Sequence, residues 1–255
     1  KLDITLDWYK KKVSGLLFIQ GGIPTDVVFK SDADLPFVNA GDMQNTGIDA
    51  NVTYHANIGK DFKLDLNGIF TTYKNEIVSL PGVNYRDGDV IRNNRLQRYM
   101  VGHPFGAFFG YKVLGLFQDA TDVSKSPVQQ DAQPGVFKYA DVNGDGKIDV
   151  NDRTWLGDPN PDFTYGLNIS ASYKNIDFSA FFFGMHGNDI FNNTLYFTDF
   201  PDFFKGGIRR EAAINSWTPT NKNTNIPLLR TTGGFSTDNS GYANSYFISK
   251  GSYLR

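Results

Sequence analysis

YGLNISASYKNIDFSAFFF, residues 165–183, alternates twice around a two-residue break. Tyr165, Leu167, Ile169, Ala171 and Tyr173 fall on one parity, and Gly166, Asn168, Ser170 and Ser172 on the other. After Lys174-Asn175, Ile176, Phe178, Ala180 and Phe182 oppose Asp177, Ser179, Phe181 and Phe183. Side chains along a strand point to opposite faces in turn, so this pattern predicts two strands, each with one apolar and one more polar face, joined by a tight turn.

The same period recurs. Leu2, Ile4, Leu6 and Trp8 oppose Asp3, Thr5, Asp7 and Tyr9. Residues 48–57 set Ile48, Ala50, Val52, Tyr54 and Ala56 against Asp49, Asn51, Thr53, His55 and Asn57. After a short turn, Ile58–Asp61, residues 62–70 alternate again from Phe62 to Phe70. Between these strands the connections are either very short (58–61, 174–175) or long (roughly 18–46, 75–162 and 187–244). In an up-and-down sheet the short turns fall on one edge and the long segments on the other. Outer-membrane barrels show that asymmetry, with short periplasmic turns and long extracellular loops. Aromatics near the strand ends (Trp8, Tyr9, Tyr54, Phe70, Tyr73, Tyr173) fit an interfacial girdle. The fold class predicted is all-β: a segment of a large antiparallel transmembrane β-barrel with long extracellular loops.

Composition narrows the classes. The 255 residues are rich in Gly, Asn, Asp, Tyr and Phe, with glutamate only at Glu76 and Glu211. Net charge is −2, which points to no nucleic-acid partner. There is no cysteine, so disulfides and zinc–thiolate sites are excluded. No run of eighteen apolar residues predicts a transmembrane helix. Both ends of the sequence lie inside strand patterns, so the chain is expected to be cut from a larger protein.

The longest connection contains DVNGDGKIDVND, residues 141–152. Calcium takes six to eight oxygens, and a twelve-residue loop supplies them at positions 1, 3, 5, 7, 9 and 12 with glycine at 6. Those positions are Asp141, Asn143, Asp145, Lys147 (through its carbonyl), Asp149 and Asp152, with Gly146 at the turn. Position 12 is the shorter Asp rather than the bidentate Glu. Ile148 can pin the loop to a core. The flanks do not read as helices, so a structural Ca2+ that staples a long loop is expected rather than a sensor. The plainer reading is an Asp-rich solvated turn. Elsewhere in the long segments, 105–117 predicts an extra strand or hairpin, and 208–217 a short helix stopped by Pro219, with Trp217 as its core anchor rather than a ligand-stacking ring, since aromatics mostly bury.

Several blocks, in order, resemble the C-terminal barrel region of SusC/RagA-type TonB-dependent outer-membrane transporters: LDITLDWYKKKVSGLL (2–17), NTGIDANVTY (45–54), VGHPFGAFFGYKVLGLFQ (101–118), residues 139–192, and the terminal GSYLR (251–255). IPLLRTTGG at 226–234 follows the family's proline-arginine pattern only loosely. The resemblance implies that residues 1–255 are part of one barrel domain, with about six membrane strands, the last partial, and with the plug, the TonB-contacting segment and the remaining strands absent. It implies a bacterial outer-membrane importer of oligosaccharides or peptides, a SusD-like surface lipoprotein as lid, and energy from the TonB system. Six strands cannot close, and open edges are intolerable in lipid, so the wall needs further strands.

Two other classes share parts of this pattern. A secreted, calcium-stabilised β-sandwich carbohydrate-binding module has the same alternation, with its apolar face turned to a second sheet. A glycosidase needs two carboxylates across a cleft. Asp199 and Asp202 in TDFPDFF are the nearest to such a set, and no separate acid/base constellation accompanies them. His55 falls on the polar strand face and reads as a solvated lumen residue. No enzyme activity is expected.

Overall fold

The computed structural model describes residues 1–19, 37–39, 41–88, 90–91, 94–201, 207–230 and 242–255. Six strands form one antiparallel sheet in sequence order: β1 (Leu2–Ser14), β2 (Asp42–Ile58), β3 (Phe62–Ser79), β4 (Phe163–Tyr173), β5 (Ile176–His186) and the short β6 (Tyr253–Leu254). The two tight turns join β2 to β3 and β4 to β5 at one edge. Every long connection leaves from the other edge. Thus six wall strands, the last partial, match the sequence reading.

The register sorts the faces. Tyr165 pairs with Phe70 and Gly184, Phe70 with Ala50, and Ala50 with Leu6. Carried along the strands, this row structure puts Leu2, Ile4, Leu6 and Trp8, then Ile48 to Ile58, Phe62 to Phe70, Phe163 to Tyr173, and Ile176 to Phe182 on one continuous apolar face, taking alternate residues throughout. No side chain on that face is buried, and Leu6 and Ile176 are each 69% exposed. A globular antiparallel sheet packs its apolar face on a core. This one leaves its apolar face open and keeps its cores elsewhere. The band runs ten residue steps along β3, from Phe62 to Thr72. At the usual strand rise and barrel tilt it is about 25 Å tall, the height of a barrel's lipid-facing band.

Three strands run further than their alternation. β1 reaches Ser14, β2 begins at Asp42 and β3 reaches Ser79. Beyond Trp8 and Thr72 the apolar face turns polar, with Lys10, Thr46 and Lys74 in one row. Outside the band neither face is selected for lipid, so period two disappears although the ladder continues. Two corrections follow. Trp8, Tyr9, Tyr54, Phe70 and Tyr73 lie within strands rather than at their ends. Moreover, Tyr9 and Tyr73 share a row with Gly47 on the polar face, so they belong to no lipid girdle. Trp8 and Phe163 mark one margin of the band, Phe62 and Tyr173 the other.

The long connections build a cap at the open edge. Its largest core gathers Tyr111, Leu116, Phe137, Tyr139, Tyr196, Phe200, Trp217 and Phe247, with Tyr196 and Phe247 stacked at 3.9 Å. Backbone bonds knit distant segments together: Tyr111 N–H donates to the Ala243 carbonyl, and Leu228 N–H to the Gly135 carbonyl. The stretch 105–117, expected to form one strand or a hairpin, holds two strands, Phe108–Tyr111 and Val113–Leu116. They form no hairpin with each other, however, and pair with Arg153–Gly157 and Phe137–Tyr139. The helix expected over 208–217 spans Arg210–Asn215, and Trp217 is 4% exposed in the main core.

Candidate functional site

The polar face of the sheet carries a lattice of short side chains. Asn67 Nδ2 donates to Asn51 Oδ1 at 2.6 Å and to Thr53 Oγ1 at 2.7 Å, and Asn168 Nδ2 reaches Asn67 Oδ1 at 3.5 Å. His55 lies between two carboxylates, Nδ1 2.5 Å from Asp65 and Nε2 3.4 Å from Asp3. All three are solvent-exposed, which fits His55 as a hydrated residue of this face. Neutral amides, hydroxyls and exposed ion pairs suit a water-filled passage, and they form no nucleophile–base pair.

The loop 141–152 is anchored at its middle to Val128. Val128 N–H donates to the Gly146 carbonyl and Ile148 N–H to the Val128 carbonyl, each at 2.8 Å, and Ile148 packs against the main core. Asp152 has no exposed surface; its Oδ1 accepts from Val142 N–H at 2.9 Å and its Oδ2 from Asp149 N–H at 2.7 Å. Asp141 accepts N–H groups from Gly144, Asp145 and Gly146, so the chain curls round it. Gly146 has φ +84°, the left-handed turn that position six demands. Asp145 accepts from Lys147 N–H, while the Lys147 ammonium stands 4.0 Å from Asp145 and 3.7 Å from Asp149. The oxygen donors therefore fit calcium in kind and in order. In this geometry they serve backbone N–H groups, and among the described residues no three carboxylates or histidines converge on one point.

Asp199 is buried in the cap. Arg209 grips it at two points, and Tyr246 donates its hydroxyl to Oδ2. These hydrogen bonds hold the Arg209 guanidinium charged well above the ordinary arginine range, while burial first, and then the bond to Asp199, pushes the Tyr246 phenol up. The partner of Asp199 is thus a cation rather than a second carboxylate across a cleft. Asp202, Phe203 and Phe204 lie outside the described residues, as does the end of the 226–234 segment.

Sequence reasoning missed the residues where the polar face meets the cap: Tyr9, Asn45, Tyr73 and Asn75, with Asn160 and Phe105 from the cap above them. The signal was available in parity, once the strands are continued past the end of the alternation.

An apolar outer face, a polar inner face and a cap at one edge define a stretch of the wall of a large membrane β-barrel. No family profile matches the chain. The chain is 31% identical over 233 residues to TonB-dependent receptor P3 of Formosa agariphila, matching 89% of this chain and 22% of that protein. It is 27% identical over 227 residues to TonB-dependent receptor SusC of Bacteroides thetaiotaomicron, matching 85% of this chain and 20% of that protein. Among solved structures, the RagAB peptide transporter superimposes on the whole chain with a TM-score of 0.69 at 22% identity, over 26% of its own length. The chain belongs to the TonB-dependent receptors. It spans between a fifth and a quarter of the length of the curated relatives it matches, which are named as receptors rather than enzymes.

Proposed function

We propose that the chain forms wall strands and outward-facing loops of a TonB-dependent importer in the bacterial outer membrane. The observation that carries this reading is the open, continuous apolar face about 25 Å tall, backed by a polar face and capped at one edge only. A β-sandwich module would cover that face with a second sheet. Lipid touches the apolar face, cargo passes along the polar face, and the cap helps to shape the outer mouth. A SusD-like surface lipoprotein closes that mouth, and the TonB system supplies energy through a plug formed elsewhere in the protein. Oligosaccharide or peptide is the cargo class. The test is uptake by intact cells: deleting the gene that encodes this chain, or the TonB gene, abolishes uptake of the same labelled cargo. Undiminished uptake in either strain contradicts the reading.

The loop at Asp141, Asn143, Asp145, Lys147, Asp149 and Asp152 is proposed as a structural Ca2+ site. Its support is the ordered donor set, the left-handed Gly146, the Val128 bonds that hold the middle of the loop and the Asp152 clasp that ties its two ends. Bound calcium would neutralise the crowded carboxylates and stiffen the loop against the core through Ile148.

A further inference from the structure

The sequence contains two Asn-Gly steps, Asn67-Gly68 and Asn143-Gly144. An asparagine before glycine is the amide side chain most open to attack by the next backbone nitrogen, because glycine puts no Cβ in the way. The two steps have opposite surroundings. Gly68 pairs with Val52 on one side and Leu167 on the other, in the middle of β3. Asn67 Nδ2 is bonded to Asn51 and Thr53. Ring closure needs the chain to bend at the asparagine, and a strand held between two neighbours cannot bend without breaking its ladder.

Asn143 and Gly144 are exposed in the loop 141–152. Gly144 has φ +75°, and a Cβ there would meet nothing within 4 Å beyond its chain neighbours, so a ring and water have room. The Asn143 amide is nonetheless held in place. Its Oδ1 accepts from Asp145 N–H at 2.9 Å, and its Nδ2 donates to Asp145 Oδ2 at 3.1 Å. The first bond polarises the amide carbonyl and steadies the negative charge that gathers on Oδ1 during attack, as an oxyanion donor does. The proton that must leave, on the Gly144 nitrogen, is directed at Asp141 Oδ1, 2.7 Å from that nitrogen.

We propose that Asn143 is a site of spontaneous deamidation. The Gly144 nitrogen bonds to Asn143 Cγ as its proton passes to hydroxide from solvent. The Cγ–Nδ2 bond breaks, and the amide nitrogen departs as ammonia with a proton taken from water. Water then opens the cyclic imide at either carbonyl, leaving aspartate or isoaspartate. No enzyme, metal or oxidant takes part. Either product changes the loop. A donor to Asp145 becomes a carboxylate beside a carboxylate, which repels it. Isoaspartate also lengthens the backbone by one methylene, just where Asp141 gathers the N–H groups of Gly144, Asp145 and Gly146. The curl loosens, so the step acts as a chemical clock on this loop. The inference rests on neither the importer reading nor bound calcium.

The test holds the full-length protein in detergent at pH 8 with EDTA, followed by pepsin digestion and mass mapping of both Asn-Gly steps. Isoaspartate is counted by enzymatic methylation. Asn143 should convert at least tenfold faster than Asn67, and trypsin should cut the aged protein faster after Lys147. Asn143→Gln should keep the cutting rate of the fresh protein throughout. Urea-unfolded protein, in which both steps convert, shows that the assay reads each of them. An intact Asn143 in the folded protein, or equal rates at the two steps, overturns the site. Conversion with unchanged cutting after Lys147 overturns the loosening.

Discussion

Arg209 meets Asp199 as a fork, Nε to Oδ1 at 2.6 Å and Nη2 to Oδ2 at 2.8 Å, on a carboxylate side chain with no solvent exposure. Arg209 N–H also donates to the Thr198 carbonyl, so side chain and backbone close the base of one loop together. Asp199 is fully buried while a third of the Arg209 side chain meets water, so removing the arginine leaves a buried carboxylate without its cation, at a cost below the about 3–5 kcal/mol of a fully buried pair. Arg209→Ala is therefore expected to loosen the cap while the wall strands stay paired. Limited proteolysis of the folded full-length protein should show faster cutting of the cap segments with unchanged heat-modifiable migration.

The same network predicts an alkaline limit. The Tyr246 phenol is raised above its ordinary value of 10.0, by burial first and then by its bond to Asp199. A raised group contributes stability that is whole below the unfolded value and is lost as pH climbs toward the folded one. Cap stability should hold through neutral pH and fall above about pH 10. Tyr246→Phe should flatten that fall, because no proton remains to be released there. Thermal melts at pH 8 to 11 would read the difference, and an unchanged slope in the variant would contradict it.

Leu167 and Asn168 are neighbours on opposite faces near the middle of the band. Arginine at a lipid-facing midplane position costs about 2–4 kcal/mol in barrels, while polar-face positions tolerate charge. Leu167→Arg should lower folding yield of the full-length protein into phospholipid vesicles, and Asn168→Arg should fold as the parent does. Similar yields for both would argue that the two faces do not differ in solvent.

For the loop, calorimetry with calcium on the parent protein and on an Asp141→Ala, Asp145→Ala variant separates the two readings of its sequence. A ligand bound only by the folded state adds about 2.7 kcal/mol at a concentration of a hundred dissociation constants. Calcium should thus raise the melting temperature of the parent and leave the double variant unmoved. Equal responses would reduce the loop to an Asp-rich turn held by its own N–H groups.

The wall was legible in sequence because lipid and water impose opposite demands on alternate residues. Leu2 to Trp8 and Tyr165 to Phe182 carry that contrast plainly. The outer ends of β1, β2 and β3 carry no such alternation for the same reason, since residues such as Lys10 to Lys12 face similar surroundings on both sides. Cap pairings were hidden because partners such as Phe109 and Trp155 are far apart in sequence and their strands are four or five residues long. The helix Ala120–Lys125 did carry a local signal, Asp119 capping Asp122 N–H, that a search for end caps would have found. The junction of wall and cap between Tyr9 and Asn160 had no motif, because it is assembled from three strands and two cap segments.

The most direct test of the account is single-cysteine scanning along residues 164–171 of the full-length protein in outer membranes, on a background whose cysteines outside residues 1–255, a stretch that has none, are replaced. Spin labels at 165, 167, 169 and 171 should relax with oxygen dissolved in lipid, and labels at 164, 166, 168 and 170 with a water-soluble paramagnetic reagent. Period-two alternation supports a wall between lipid and water. Uniform access of the aqueous reagent to all eight positions would contradict it.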